Sequence, residues 1–137
     1  MIFPEMGNNH PRMQHNLSHK FESTFVSLEI PKNESVMLKS LEGTKLGVWV
    51  AHGEGRFELP GTESDWSIAA KYAYDAYPAN PNGSDYAAAA VCSRDGRHLA
   101  MMPHPERSIL PWQNAWYPHA SRKHEAKNQW IQFSPIR

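Results

Sequence analysis

The stretch Met-Met-Pro-His-Pro-Glu-Arg-Ser at 101–108 sets His104 and Glu106 two positions apart, with a proline on either side of the histidine. Pro105 disfavours the helical region for the residue before it, so His104 is expected to be extended. Side chains two apart on an extended segment point to the same side, which brings Glu106 within reach of the imidazole. A carboxylate that accepts from one ring nitrogen fixes the tautomer and leaves the other nitrogen as a base, the logic of a nucleophile, histidine and acid triad. On spacing alone a plainer arrangement has the edge, with His104 capping a loop and Glu106 paired to Arg107 or to solvent.

A triad needs a nucleophile, and Cys92 is the one cysteine in 137 residues. It sits in Ala-Ala-Val-Cys-Ser-Arg-Asp, without the sharp strand-to-helix turn that exposes a reactive thiol, and reads as a small apolar residue in a strand. Two loops carry further site-like chemistry. In Ala-His-Gly-Glu-Gly-Arg (51–56), Gly53 and Gly55 would let the backbone approach a ligand or take positive φ, and the strand before them would hold the loop rigidly. A loop that merely needs two glycines to turn explains the pattern equally well. Pro-Ala-Asn-Pro-Asn-Gly-Ser (78–84) reads as a structural turn ahead of a ligand-binding loop. Of the eight histidines, His15 and His19 are four apart and would clamp zinc on a helix. Pro11 and the lack of an apolar stripe argue against that helix, so these histidines are expected to face solvent and no metal site is assigned.

These groups must be positioned by strands and turns. The first twenty residues are polar, lack periodicity and read as a loop. Residues 21–30 alternate at their end, with Val26, Leu28 and Ile30 opposite Ser27 and Glu29, the period of a half-buried strand. The segment after 36 is short and closes on Gly43. Residues 45–52 form a dense β-branched and aromatic run into His52, the pattern of a strand buried on both faces. Four alanines at 87–90 favour helix by propensity, yet Asp95-Gly96 is a hairpin signal, so strands are expected near 86–93 and 97–102. Residues 108–118 are expected to hold a short helix interrupted by Pro111.

Composition limits the function classes. The length suits one domain or part of one. Fourteen basic against fourteen acidic residues leave zero formal charge, and there is no local basic patch, so nucleic acid is not an expected partner. The longest apolar runs, 46–51 and 87–92, fall far short of the ~20 residues that span a bilayer, so no membrane is expected. No secretory signal is visible, and a lone cysteine fits a reducing compartment, so the reading is cytoplasmic.

Taken in order, Ala-His-Gly-Glu-Gly-Arg-Phe (51–57), Tyr-Pro-Ala-Asn-Pro-Asn-Gly-Ser (77–84) and Asp-Gly-Arg-His-Leu-Ala-Met-Met-Pro-His-Pro-Glu-Arg (95–107) resemble the glutaminase domains of phosphoribosylformylglycinamidine synthases, which are class I (triad) glutamine amidotransferases. The likeness extends to His-Asn-Leu-Ser-His-Lys-Phe-Glu-Ser (15–23) and Asn-Ala-Trp-Tyr-Pro (114–118), covering nearly the whole chain. It implies an α/β fold: the C-terminal part of a flavodoxin-like class I domain, with a mixed β-sheet, a β-hairpin and few helices. It implies that residues 1–137 are a partial domain, truncated at the N-terminus and at the C-terminus.

By the same resemblance His104 is the general base and Glu106 its orienting carboxylate, while the nucleophile elbow and oxyanion segment precede residue 1. His52 and Gly53 help hold glutamine, and Cys92 has no catalytic role. Asn16, Ser18 and Glu22 are left without assigned roles beyond positioning the domain against the rest of the enzyme. No cofactor is implied in this chain; ATP and magnesium belong to the missing synthetase part. The implied partners are glutamine and the remainder of the parent enzyme. Uncovered sheet edges would favour self-association of the isolated chain. Two rivals rank lower: a free-standing cysteine hydrolase using Cys92, and a histidine-rich metal-binding module.

Overall fold

The computed structural model describes residues 10–117 and 129–133. Strand β2 (Glu22–Glu29) pairs along its whole length with β3 (Lys45–His52), from Glu22 opposite His52 to Glu29 opposite Lys45. The two-residue period read at Val26, Leu28 and Ile30 is borne out. They are buried, as are Leu46, Val48 and Val50 on the partner strand, and all six belong to one core with Leu38, Leu41 and Trp130.

Between these strands the chain turns once through Lys39–Leu41 and closes on Gly43, whose φ of +77° lets its N–H reach the Ile30 carbonyl at 2.9 Å. Strand β5 (Ser67–Tyr72) touches β2 only at Leu28–Tyr72 and Glu29–Lys71, then pairs with β6 (Ala88–Cys92), which pairs with β7 (Leu99–Met101). The result is a five-stranded sheet in the order β3-β2-β5-β6-β7. The hairpin expected around Asp95-Gly96 is present, with Gly96 at φ +71°.

Three expectations are corrected. The N-terminal stretch read as loop contains β1 (Arg12–Gln14), which pairs with β4 (Arg56–Glu58) more than forty residues on. Its strand character comes from that distant partner and leaves no local period. Burial on both faces belongs to β6, not to β3. Every residue of β6 is buried, with Ala90 and Cys92 in the first core and Ala88 and Val91 in a second one around Phe57, Leu59, Trp66 and Ile68. Cover on both faces makes the alanine run a strand against its helical propensity. Strand β3 instead alternates and lies at an edge of the described sheet. Finally, Pro111 opens a 3-10 turn over Pro111–Gln113 where it was expected to interrupt a helix.

Every strand pair recorded among the described residues is antiparallel, and their helical segments are short 3-10 turns. The sheet also curls. Beyond β7 the Met102 N–H donates to the Ala89 carbonyl at 3.2 Å, and the His104 N–H then donates to Trp49 of β3 at 2.8 Å. Three residues span at most about 11 Å, so the end of β7 must approach the β3 edge. His119, His124 and the C-terminal end lie outside the described residues.

Candidate active site

His104 is held where the chain leaving β7 meets β3. Its φ of −104° and ψ of 81° are extended, as the following proline demands. Pro105–Arg107 then winds as a 3-10 turn, with the Arg107 N–H donating to the His104 carbonyl at 3.1 Å. The expected pairing of His104 with Glu106 therefore forms, but a turn folds the carboxylate back, where a continuous extended segment was expected to align it. His104 Nδ1 lies 2.7 Å from Glu106 Oε1. An ionised carboxylate only accepts, so Nδ1 carries the proton and Nε2 keeps its lone pair. The plainer arrangement is present as well: Arg107 Nε stands 3.7 Å from the same oxygen. One carboxylate serves both partners.

His52, at the end of β3, brings its ring centroid to 6.3 Å from that of His104. Its pKa is lowered, first by burial and second by the proximity of His104, while backbone contacts at Met102 and at His52 itself oppose the shift. The His52 carbonyl accepts from Asn16 Nδ2 at 2.7 Å, and the Gly53 carbonyl accepts from the Asn16 N–H at 2.9 Å. The glycines of this loop are not explained by positive φ, which is found at Gly43, Gly61, Gly83 and Gly96. Gly55 is required for space: a Cβ there would overlap His52 Nδ1 and Cε1 and come within 2.7 Å of Asn82 Nδ2.

Asn16 and Asn82 are the site residues that motif reading undervalued. Both are fully buried and bonded to each other across the fold at 2.7 Å. The signal was an asparagine in each of two quoted motifs, but a separation of 66 residues hides their meeting. Ser18 Oγ is buried without a partner, and Glu22 lies opposite His52 in register. His15 faces Glu54 at 3.4 Å, and His19, at φ +54°, closes a turn onto the Asn16 carbonyl, so the two share no helical face. Among the described residues no group of three or more His, Cys, Asp or Glu side chains can hold a metal ion.

Cys92 is buried in β6 opposite Leu99, and His104 follows Leu99 by five residues, up to about 16 Å along an extended chain. Burial pushes the thiol pKa up, and the charged groups that act on it are Glu34 and Asp95. A buried thiol with a raised pKa is an unreactive one, and His104 is not among the groups that act on it. A groove of about 990 Å³ runs past Ser18, Glu22, Tyr77 and Asp85, but His52, His104 and Glu106 do not line it. No helix of the described residues is long and apolar enough to cross a membrane.

Fold and geometry together define a curled antiparallel sheet that presents a hydrogen-bonded histidine–carboxylate pair at a strand edge. A profile of the CobB/CobQ-like glutamine amidotransferase domain matches residues 3–134, and the chain belongs to that family. It is 48% identical over 132 residues to a probable phosphoribosylformylglycinamidine synthase, chloroplastic/mitochondrial, of Arabidopsis thaliana, covering 84% of this chain and 9% of that protein. It is 44% identical over 118 residues to the phosphoribosylformylglycinamidine synthase of Homo sapiens, covering 77% and 9%. Among solved structures it resembles PurLQS from Thermotoga maritima with a TM-score of 0.65 and 30% identity, over 79% of this chain and 48% of that one. The chain therefore spans about a tenth of the length of these curated relatives.

Proposed function

We propose that this chain is part of the glutaminase domain of a phosphoribosylformylglycinamidine synthase, a glutamine-dependent ligase of purine biosynthesis. The observation that carries the reading is the His104–Glu106 pair at 2.7 Å, set at a strand edge with no thiol of this chain beside it. In the complete enzyme a cysteine thiolate from outside these 137 residues attacks the side-chain amide of glutamine. His104 passes the proton to the departing ammonia, and water then hydrolyses the glutamyl thioester. Glu106 holds the imidazole in the tautomer that leaves Nε2 as the base. His52 and Gly53 contact glutamine through groups that Asn16 leaves available.

Ammonia is then used in the ATP-dependent conversion of formylglycinamide ribonucleotide to the amidine, with ATP and magnesium held by the synthetase part. The remainder of the parent enzyme is the natural partner, the compartment is the cytoplasm, and the isolated chain self-associates through apolar side chains such as Phe21, Trp112 and Trp116, which are exposed here. The test is ammonia release from glutamine. This chain alone should release none, and the full-length synthase should lose release on His104→Ala. Release by the isolated chain that is abolished by Cys92→Ala would overturn the reading.

A further inference from the structure

The proton on the His52 ring is constrained through Nδ1, since Nε2 is buried and finds no hydrogen-bond partner. Asn16 is oriented by main-chain groups alone: its Nδ2 donates to the carbonyls of Lys20 at 2.9 Å and His52 at 2.7 Å, and its Oδ1 accepts from the Gly55 N–H at 3.1 Å. Carbonyls only accept and amides only donate, so the two ends of this side chain cannot be exchanged. Asn16 Oδ1 therefore demands a donor from Asn82, and Asn82 presents Nδ2 to it at 2.7 Å. The second hydrogen of that amide points to His52 Nδ1 at 2.9 Å. Tyr72 completes the set by donating its hydroxyl to Asn82 Oδ1 at 2.7 Å.

We propose that Asn16 and Asn82 form a tautomer lock that holds His52 as a neutral imidazole with its proton on Nε2. The two rings carry opposite tautomers: Glu106 puts the His104 proton on Nδ1, and Asn82 puts the His52 proton on Nε2. Protonating His52 at Nδ1 would require Asn82 to turn over, and that would set oxygen against oxygen at Asn16, while the Tyr72 hydroxyl would reverse from donor to acceptor. Gly55 belongs to the lock, since any side chain there would enter the bond between His52 and Asn82.

The titratable and charged groups that face the pair agree with this assignment. Glu106 pairs with His104 from the 105–107 turn and also carries Arg107, and His104 acts on His52. Glu22 of β2 is the register partner of His52, Tyr72 of β5 reaches it through Asn82, and His15 and Glu54 pair at the adjoining loop. None of them offers His52 Nδ1 an acceptor in place of Asn82.

The inference concerns the chain's own side chains. It deepens the glutaminase reading but is tested without activity. Long-range ¹H–¹⁵N correlation of ¹⁵N-labelled chain identifies which ring nitrogen of each histidine is protonated. Expected is an Nε2–H tautomer for neutral His52, with Nδ1 showing the signature of an unprotonated acceptor nitrogen. An Nδ1–H tautomer at His52, or a mixture of the two tautomers, overturns the proposal. Asn82→Asp supplies the opposite partner, a carboxylate, and should switch the His52 proton to Nδ1 and raise its titration midpoint by about one pH unit or more. If Asn82→Asp does not fold, the wild-type spectrum alone decides. Failure of this spectrum leaves the ammonia-release test untouched, and failure of ammonia release leaves the spectrum untouched.

Discussion

The main-chain N–H of His104 donates to the carbonyl of Trp49 at 2.8 Å, which ties the segment after β7 to the edge of β3. The tie is backbone to backbone, so it survives a change of the Trp49 side chain. The Trp49 indole N–H instead donates to the Gln113 carbonyl at 2.7 Å, and its ring meets Phe25 edge-on with centroids 5.1 Å apart. Trp49→Phe should therefore cost about 1–2 kcal/mol of stability and leave glutaminase turnover of the full-length enzyme nearly unchanged. Urea unfolding and ammonia release, measured on the same variant, separate the two effects.

Glu106 should behave in the opposite way. It is half exposed and adds little to the core, but it sets the His104 tautomer. Glu106→Ala in the full-length synthase should lower glutamine hydrolysis by about 10²–10⁴-fold with little change in melting temperature. Turnover with ammonia supplied directly should be spared, and a matching loss there would point to misfolding.

Asn16 is buried with four side-chain hydrogen bonds. Asn16→Ala leaves the Gly55 N–H, the His52 and Lys20 carbonyls and the Asn82 amide without their partner in a buried setting. The expected cost is about 2–4 kcal/mol in chemical denaturation, against less than about 0.5 kcal/mol for an exposed site such as Lys32→Ala.

Gly55→Ala tests close packing. With no positive φ to relieve, the added methyl acts only through its overlap with His52 and its approach to Asn82. We expect a loss of about 1–3 kcal/mol and a changed His52 ring environment in ¹³C–¹H spectra. Gly53→Ala, whose Cβ meets only Phe21 Cδ2 at 3.9 Å, should be mild by comparison.

Acid should destabilise the chain through His52. Its pKa is lowered in the fold from the free value of 6.5, mainly by burial, so the unfolded chain binds the proton first. The His52 contribution is complete above the free value and is lost as pH falls through the lowered folded value. Melting temperature should thus drop on acidification below about pH 6.5, and His52→Gln should flatten that part of the profile. A profile unchanged by His52→Gln would contradict the half-buried, neutral ring.

Much of the site was legible from residue types. Pro105 did dictate an extended His104, the glycine turn after Asp95 did make a hairpin, and the run into His52 did end its strand there, because each depends on the conformational limits of a few adjacent residues. Family membership was legible for a related reason: several short motifs in fixed order are far more specific than any one of them. What local sequence could not show was where distant segments meet. Strand β1 had no period of its own and exists by pairing with β4. The alanines of β6 became a strand because apolar cores cover both their faces.

The decisive example is His52. Sequence by itself determined that a histidine stands at the end of a strand beside two glycines, and that a second histidine has a carboxylate two residues on. Only the tertiary structure decided that Asn16 and Asn82, 66 residues apart, converge on the first ring and that the two imidazoles lie 6.3 Å apart. The physical reason is that a hydrogen-bond network fixes proton positions through the directions of its donors and acceptors, and those directions exist only once the sheet has curled and closed the loops upon one another.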